Sequence, residues 1–157
     1  MKLITEELKQ RFAEVGDQSE DENPLVIAKF FDPMGSATWY ATEYYPETNI
    51  CFGYVSGLVP ENPLCDEWGT FSIDELESVR IRFPKIIWRN EEFIPKATLA
   101  IERDLHFKET RFDQILEIRR RLESGKDVPD TIIKERIDAL EKDSQDMSKD
   151  NAPEIEM

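Results

Sequence analysis

The chain has 157 residues, 39% of them hydrophobic and 10% aromatic, with 20 basic and 34 acidic side chains for a net charge of −14. That is enough apolar material for one core, which excludes wholesale disorder, and no run approaches the roughly 20 apolar residues of a membrane span. Two cysteines, Cys51 and Cys65, and one histidine, His106, lack the spacing of a zinc site. With an N-terminus that turns acidic at Glu6, they lead us to expect a cytoplasmic protein with free thiols, no metal and no cofactor.

In chain order, Thr5 is placed to cap a helix over 6–15, with Glu6 and Glu7 in the first turn, where the helix dipole favours anions. Leu8, Phe12 and Val15 recur at helical spacing, and Gly16 is a stop signal. Residues 17–23 hold no apolar side chain and read as an exposed loop. Residues 25–31 read as a largely buried strand and 32–36 as a turn. Residues 38–45 and 50–56 are rich in β-formers and flank a short loop, which predicts an antiparallel hairpin. Regular alternation puts Trp39, Ala41, Glu43 and Tyr45 on one face of the first strand, and Thr38, Tyr40, Thr42 and Tyr44 on the other.

Pro60 and Pro63 mark a loop over 57–66, followed by a short strand over 67–71. Ser72 and Glu75 form a capping-box pattern opening a short helix over about 73–79. Ile86, Ile87 and Trp88 have strand character, but Pro84 and Pro95 interrupt the run. Residues 101–107 alternate, with Ile101, Arg103, Leu105 and Phe107 on one face. From Thr110 a helix is predicted, with a buried stripe of Phe112, Ile115, Leu116, Ile118 and Leu122, ending at Gly125. Pro129 opens a second helix carrying Ile133, Ile137 and Leu140. The expected fold is α+β: a small, mostly antiparallel sheet with a short N-terminal helix, a short mid-chain helix and a C-terminal helical hairpin that packs on its own domain. The expected division is a core domain over 1–115, a helical extension over 116–145 and a disordered tail over 146–157.

Several of these segments, taken together and in order, resemble a known family. They are KLITEEL at 2–8, AKFFDP at 28–33, TWYATE at 38–43, FGYVSG at 52–57, EWGTFS at 67–72 with Glu75 and Leu76, and IERD at 101–104 followed by Phe107. The set is similar to the bacterial family catalogued as domain of unknown function 2958, over roughly residues 2–115. The resemblance implies a compact α+β domain of prokaryotic mobile elements and implies no activity, cofactor or catalytic residue. Residues 59–65 and 83–98 are longer here than the family pattern.

The candidate site is the set Trp39, Glu43, Glu67, Trp68, Glu102, Arg103 and Asp104, in which strand carboxylates lie near aromatic side chains. Such carboxylates can serve as an acid/base pair or hold a divalent ion. Equally, Arg103 can pair with one of them while the others are solvated and the tryptophans belong to the core. The charge distribution suggests a second kind of function. Residues 12–77 contain 14 acidic residues and a single basic one, Lys29, whereas 78–107 contain six basic and four acidic. The excess negative charge repels nucleic-acid phosphates and attracts basic partners, although it also serves plain solubility. The dense basic triplet Arg119, Arg120 and Arg121 is interrupted in space by helical geometry and flanked by Glu117 and Glu123, so no direct nucleic-acid binding is expected.

The sequence therefore points to a non-enzymatic accessory module of a mobile element, monomeric or a small homo-oligomer and making no membrane contact. It would act on a basic host protein or nucleic-acid-binding enzyme, with an acidic DNA mimic as one form of that action. The alternative is a small carboxylate-dependent enzyme or ligand-binding domain, which requires Glu43, Glu67 and Asp104 to converge in a pocket.

Overall fold

Residues 1–125 are described by the computed structural model. Helix α1 (Glu6–Val15) forms as its sequence dictates: the Thr5 hydroxyl accepts from the Leu8 N–H at 3.2 Å, and the chain leaves the helix at Gly16 with φ of 70°. The predicted strand over 25–31 is two strands, β1 (Leu25–Val26) and β2 (Ala28–Phe31), which pair with different partners. Next come β3 (Thr38–Tyr45), β4 (Ile50–Ser56), β5 (Glu67–Ser72) and α2 (Ile73–Ser78), the last capped by Ser72 accepting from the Glu75 N–H at 3.2 Å. Four short strands follow: β6 (Ile81–Arg82), β7 (Ile86–Trp88), β8 (Glu91–Phe93) and β9 (Thr98–Leu99). The described chain closes with β10 (Glu102–Arg103), β11 (Thr110–Arg111) and α3 (Leu116–Gly125). The second predicted C-terminal helix and the 146–157 tail lie outside the described residues.

The main sheet is antiparallel, in the order β10-β2-β3-β4-β5, so the fold is α+β with a mostly antiparallel sheet. One face carries Ala28, Phe30, Ala41, Cys51 and Phe71 against Phe12 of α1, Leu76 of α2 and the N-terminal Leu3 and Ile4. The other face carries Tyr40 and Tyr54, which pack with Val26, Ile115 and Ile118 under α3. Burial of these side chains removes them from water at about 1.5–3 kcal/mol each and is the main source of the sheet's cohesion. Both cysteines are free thiols, and burial pushes that of Cys51 well above its usual pKa.

Two readings of the C-terminal half need correction. The regular alternation over 101–107 holds only through Arg103, because Asp104 opens a turn closed by Phe107 N–H donating to the Asp104 carbonyl at 3.3 Å. Ile101 therefore packs in the first core and Phe107 beside the second, while Leu105 is exposed. The helix predicted from Thr110 starts only at Leu116, after β11 and a short 3₁₀ turn (Phe112–Gln114). That later start rotates the helix, so that Ile115 and Ile118 are buried while Leu116 and Leu122 face solvent.

Polar contacts hold α3 to the sheet. Glu117 accepts from the Tyr40 hydroxyl at 2.7 Å and pairs with Lys29 at 3.0 Å. Arg121 makes a two-pronged pair with Asp66, at 2.6 and 2.9 Å, and also donates to the Pro60 carbonyl at 3.1 Å, tying the 57–66 loop to the helix. The Asp66 side chain is only 2% exposed. One arginine of the basic triplet is thus spent inside the fold, and Arg119 and Arg120 remain on the surface.

Candidate functional site

β3 does not alternate regularly. Ala41 pairs with Gly53 of β4, but Glu43 pairs with Phe52, so Thr42 is an extra residue in a β-bulge. A bulge re-aims the side chains that follow it. Tyr44 now opposes Cys51 on the first-core face, and Glu43 joins Phe52 on the face of Tyr40, Tyr54 and Trp68. Glu43 therefore does not share a face with Trp39, contrary to the expectation from alternation. Gly53 makes the bulge possible: a methyl group there would run into the Tyr40 carbonyl and the Ala41 backbone.

β2 stops pairing with β3 at the Ala28–Ala41 pair, which leaves the edge of β3 beyond Thr42 to the 17–24 loop. Gln18 fills that role. Its side-chain amide donates to the Leu25 and Thr42 carbonyls at 2.8 and 2.9 Å, and its side-chain oxygen accepts from the Leu25 N–H at 2.7 Å. The Gln18 N–H in turn donates to Glu43 Oε1 at 3.4 Å. Gln18 is buried, so the 17–23 segment is not simply the exposed loop that its composition suggests.

Between this loop, the last turns of α1 and the end of the β3–β4 hairpin lies a cavity of about 740 Å³. Phe12, Tyr44, Tyr45, Phe52 and Trp68 supply its aromatic surface; Asp17, Asp21, Glu22 and Glu43 supply carboxylates. The one basic lining residue among those described, Lys9, is paired with Glu6 at 3.1 Å. Trp68 stacks on Phe52 with ring centroids 6.1 Å apart and leans on Phe112 at 4.7 Å, so the floor is anchored in the second core. The size is that of a ligand pocket, and an aromatic floor with a few charged groups is the usual composition of one.

Two carboxylates of this cavity, Asp17 and Glu43, are pushed in opposite directions. Burial, reinforced by the charge of Asp17, raises the pKa of Glu43 above the usual carboxylate value. Asp17 is held below it, chiefly because it accepts the Ser19 N–H at 2.8 Å.

Of the seven residues singled out from the sequence, the structure brings two to the cavity, Glu43 and Trp68. Trp39 packs on the opposite face, and Glu67, opposite Val55 at the far end of the sheet, is exposed. Glu102 sits in the outer strand opposite Phe31. Among the described residues Arg103 pairs with no carboxylate; it donates to the Lys2 and Leu3 carbonyls at 2.8 Å each and pins the N-terminus. Asp104 lies 3.7 Å from Lys29 and accepts from the His106 N–H at 2.9 Å. Arg103 and Asp104 line a separate hollow of about 350 Å³. The convergence of Glu43, Glu67 and Asp104 does not occur, and among the described residues no three His, Cys, Asp or Glu side chains are grouped to hold a metal ion.

A family model described as "Protein of unknown function (DUF2958)" matches residues 3–101. The chain belongs to this family. The match runs from Leu3, just before α1, through Ile101 and so contains every residue that lines the cavity, together with Gly53, while α3 lies beyond it. No curated protein and no solved structure matches the chain. Within the described part of this DUF2958 protein no helix is long and apolar enough to cross a membrane.

Proposed function

We propose that this DUF2958 domain is a non-enzymatic protein-interaction module whose cavity receives a basic segment of a partner protein. The observation that supports this reading is the composition of the cavity: among the described residues, four carboxylates around an aromatic floor, with the one lysine already paired. A guanidinium or ammonium group over an aromatic face gains about 0.5–2 kcal/mol, most when desolvated, and neighbouring carboxylates add charge complementarity. Later cations neutralise part of the acidic segment, since Arg111 pairs with Asp21 at 3.1 Å and Arg121 with Asp66. Asp17, Glu22 and Glu43 keep no ion pair among the described residues, so the cavity retains negative charge of its own. In this reading the protein serves a mobile element in the cytoplasm. A nucleic-acid-binding host enzyme, whose cleft carries basic side chains, is the partner of matching chemistry, and occupying that cleft would inhibit the enzyme as a DNA mimic does.

The test is titration of a short lysine- and arginine-rich peptide, followed by Trp fluorescence and calorimetry. Binding should weaken as salt rises. Glu43→Gln alone should cost roughly threefold, and Glu22→Lys with Glu43→Gln roughly tenfold or more. No binding at low salt, or full affinity in the double variant, overturns the reading. The opposed shifts of Asp17 and Glu43 favour one second reading, a carboxylate-dependent enzyme in which Glu43 donates a proton beside an ionised Asp17. Loss of a turnover in Glu43→Gln, with folding and peptide binding intact, would select it.

A further inference from the structure

The β7–β8 hairpin stands apart from the main sheet. Its two strands pair only with each other, and Ile87, Trp88, Phe93 and Ile94 are 67%, 65%, 50% and 63% exposed. The register puts Trp88 and Phe93 on one face with Ile86, itself 37% exposed, and exposed apolar surface of this kind marks an interaction surface. The hairpin and its stems are also basic in an acidic protein: Arg80, Arg82, Lys85, Arg89 and Lys96 stand against Glu91 and Glu92, and Glu92 is already paired with Lys85. At the tip, Arg89 and Asn90 both adopt positive φ, 51° and 63°. Asn-Gly or Asp-Gly normally fills such a two-residue turn, and an arginine in its first position is held in a conformation that L side chains disfavour. The Arg89 guanidinium lies 5.9 Å from the Trp88 ring centroid and has no carboxylate partner among the described residues.

We propose that this hairpin is a docking arm that seats its Trp88–Arg89 tip in the acidic, aromatic-floored cavity of a second copy of the chain. The two surfaces match: an indole and a guanidinium on the arm, Phe52 and Trp68 with Asp17, Glu22 and Glu43 in the cavity. The arm does not fill the cavity of its own molecule, since no hairpin residue lines it and Trp88 stays largely exposed. Anionic lipid and nucleic acid fit less well, because both bind through phosphate charge and the net −14 of the chain opposes them. Docking in a protein cavity depends instead on burying the tip, which persists at about 150 mM salt, where the Debye length of about 8 Å screens the repulsion between copies. Reciprocal exchange of arms closes a twofold dimer. The inference rests on the reading of the cavity as a receptor for basic side chains, and it adds that the chain itself supplies one such ligand, which a partner protein must displace.

The experiment is sedimentation velocity on the full chain at up to about 200 µM in physiological salt, with two variants. Trp88→Ala with Arg89→Asp breaks the arm; Glu22→Lys with Glu43→Gln breaks the cavity. Wild type should dimerise, each variant should dissociate at least about tenfold more readily, and mixing the two should restore a 1:1 complex that neither forms alone. A wild type that stays monomeric, self-association indifferent to both variants, or an arm variant whose defect is in binding anionic vesicles or duplex DNA overturns the inference. A monomeric chain that still binds the basic peptide overturns only the arm proposal; a dimer of this mutational pattern that fails to bind the peptide overturns only the partner reading.

Discussion

The sheet face that carries Tyr40 and Tyr54 has two halves with opposite fates. Under α3 the tyrosines are covered, and the carboxylate brought against them, Glu117, meets a hydroxyl and an ammonium. Burial works against its charge, but Tyr40 and Lys29 prevail and hold Glu117 below the usual carboxylate range. Past the bulge no described helix covers the face, and Glu43 is buried beside Asp17 with one backbone N–H as its donor, so its pKa rises. Trp68 belongs to both halves, touching Tyr54 and Phe112 on one side and Phe52 on the other. A carboxylate that is paired contributes to stability. One left poorly paired in a cavity is kept at a cost to stability, and such groups concentrate at functional sites.

The substitution with the largest expected effect removes the boundary between the halves. Gly53→Ala forces a methyl group into the Tyr40 carbonyl in the middle of the sheet, and we expect a loss of about 3 kcal/mol with the bulge and cavity disrupted together. Urea denaturation should show a lower midpoint at unchanged slope, and the basic peptide should no longer bind. Next in size, Arg121→Ala leaves Asp66 buried with, among the described residues, the Gly57 N–H as its remaining partner, at 3.0 Å. Breaking a fully buried pair costs about 3–5 kcal/mol; with Arg121 22% exposed we expect about 2 kcal/mol, lost from the covered half alone. Peptide affinity should be unchanged, a result that separates the two halves energetically.

Much of this comparison was legible in the sequence. Thr5 and Ser72 identified their helices, and the β3–β4 hairpin followed from two runs of β-formers around a short loop. Glu43 and Trp68 were singled out because carboxylates near aromatics suggest a site, and both line the cavity. What failed was the assumption of a strict two-residue period. A single extra residue at Thr42 moves Glu43 to the other face, and no propensity marks that residue. The available signal was Gly53, a glycine inside a strand, which suggests a bulge or a close backbone approach. Gln18 was missed because an amide in a polar run looks solvated; its burial depends on carbonyls of β1 and β3 that only the fold brings near. Glu67 and Asp104 were grouped with Glu43 on residue type alone, and sequence distance says nothing of which sheet end each reaches.

The smaller effects come from the two carboxylates themselves and differ in sign. Glu117→Gln keeps an acceptor for Tyr40 but loses the Lys29 pair; its side chain is 61% exposed, so solvent screening limits the loss to under about 1 kcal/mol. Because its folded pKa is lowered, that contribution is present above the ordinary carboxylate range and disappears as pH falls through the lowered value. Glu43 behaves in the opposite way. Its folded pKa is raised, so the folded state holds the proton more tightly than the unfolded chain, and stability declines as pH rises from the ordinary carboxylate range through the raised value. Glu43→Gln keeps an oxygen for the Gln18 N–H and removes the charge beside Asp17, so at neutral pH the variant should be more stable than wild type by about half a kcal/mol. The difference should vanish in acid, where Glu43 is protonated in both folded and unfolded chains. Denaturation of the two proteins across that pH range measures it. A variant less stable than wild type at neutral pH would mean that the Glu43 charge is held by a partner and that the open half of the sheet is no less satisfied than the covered one.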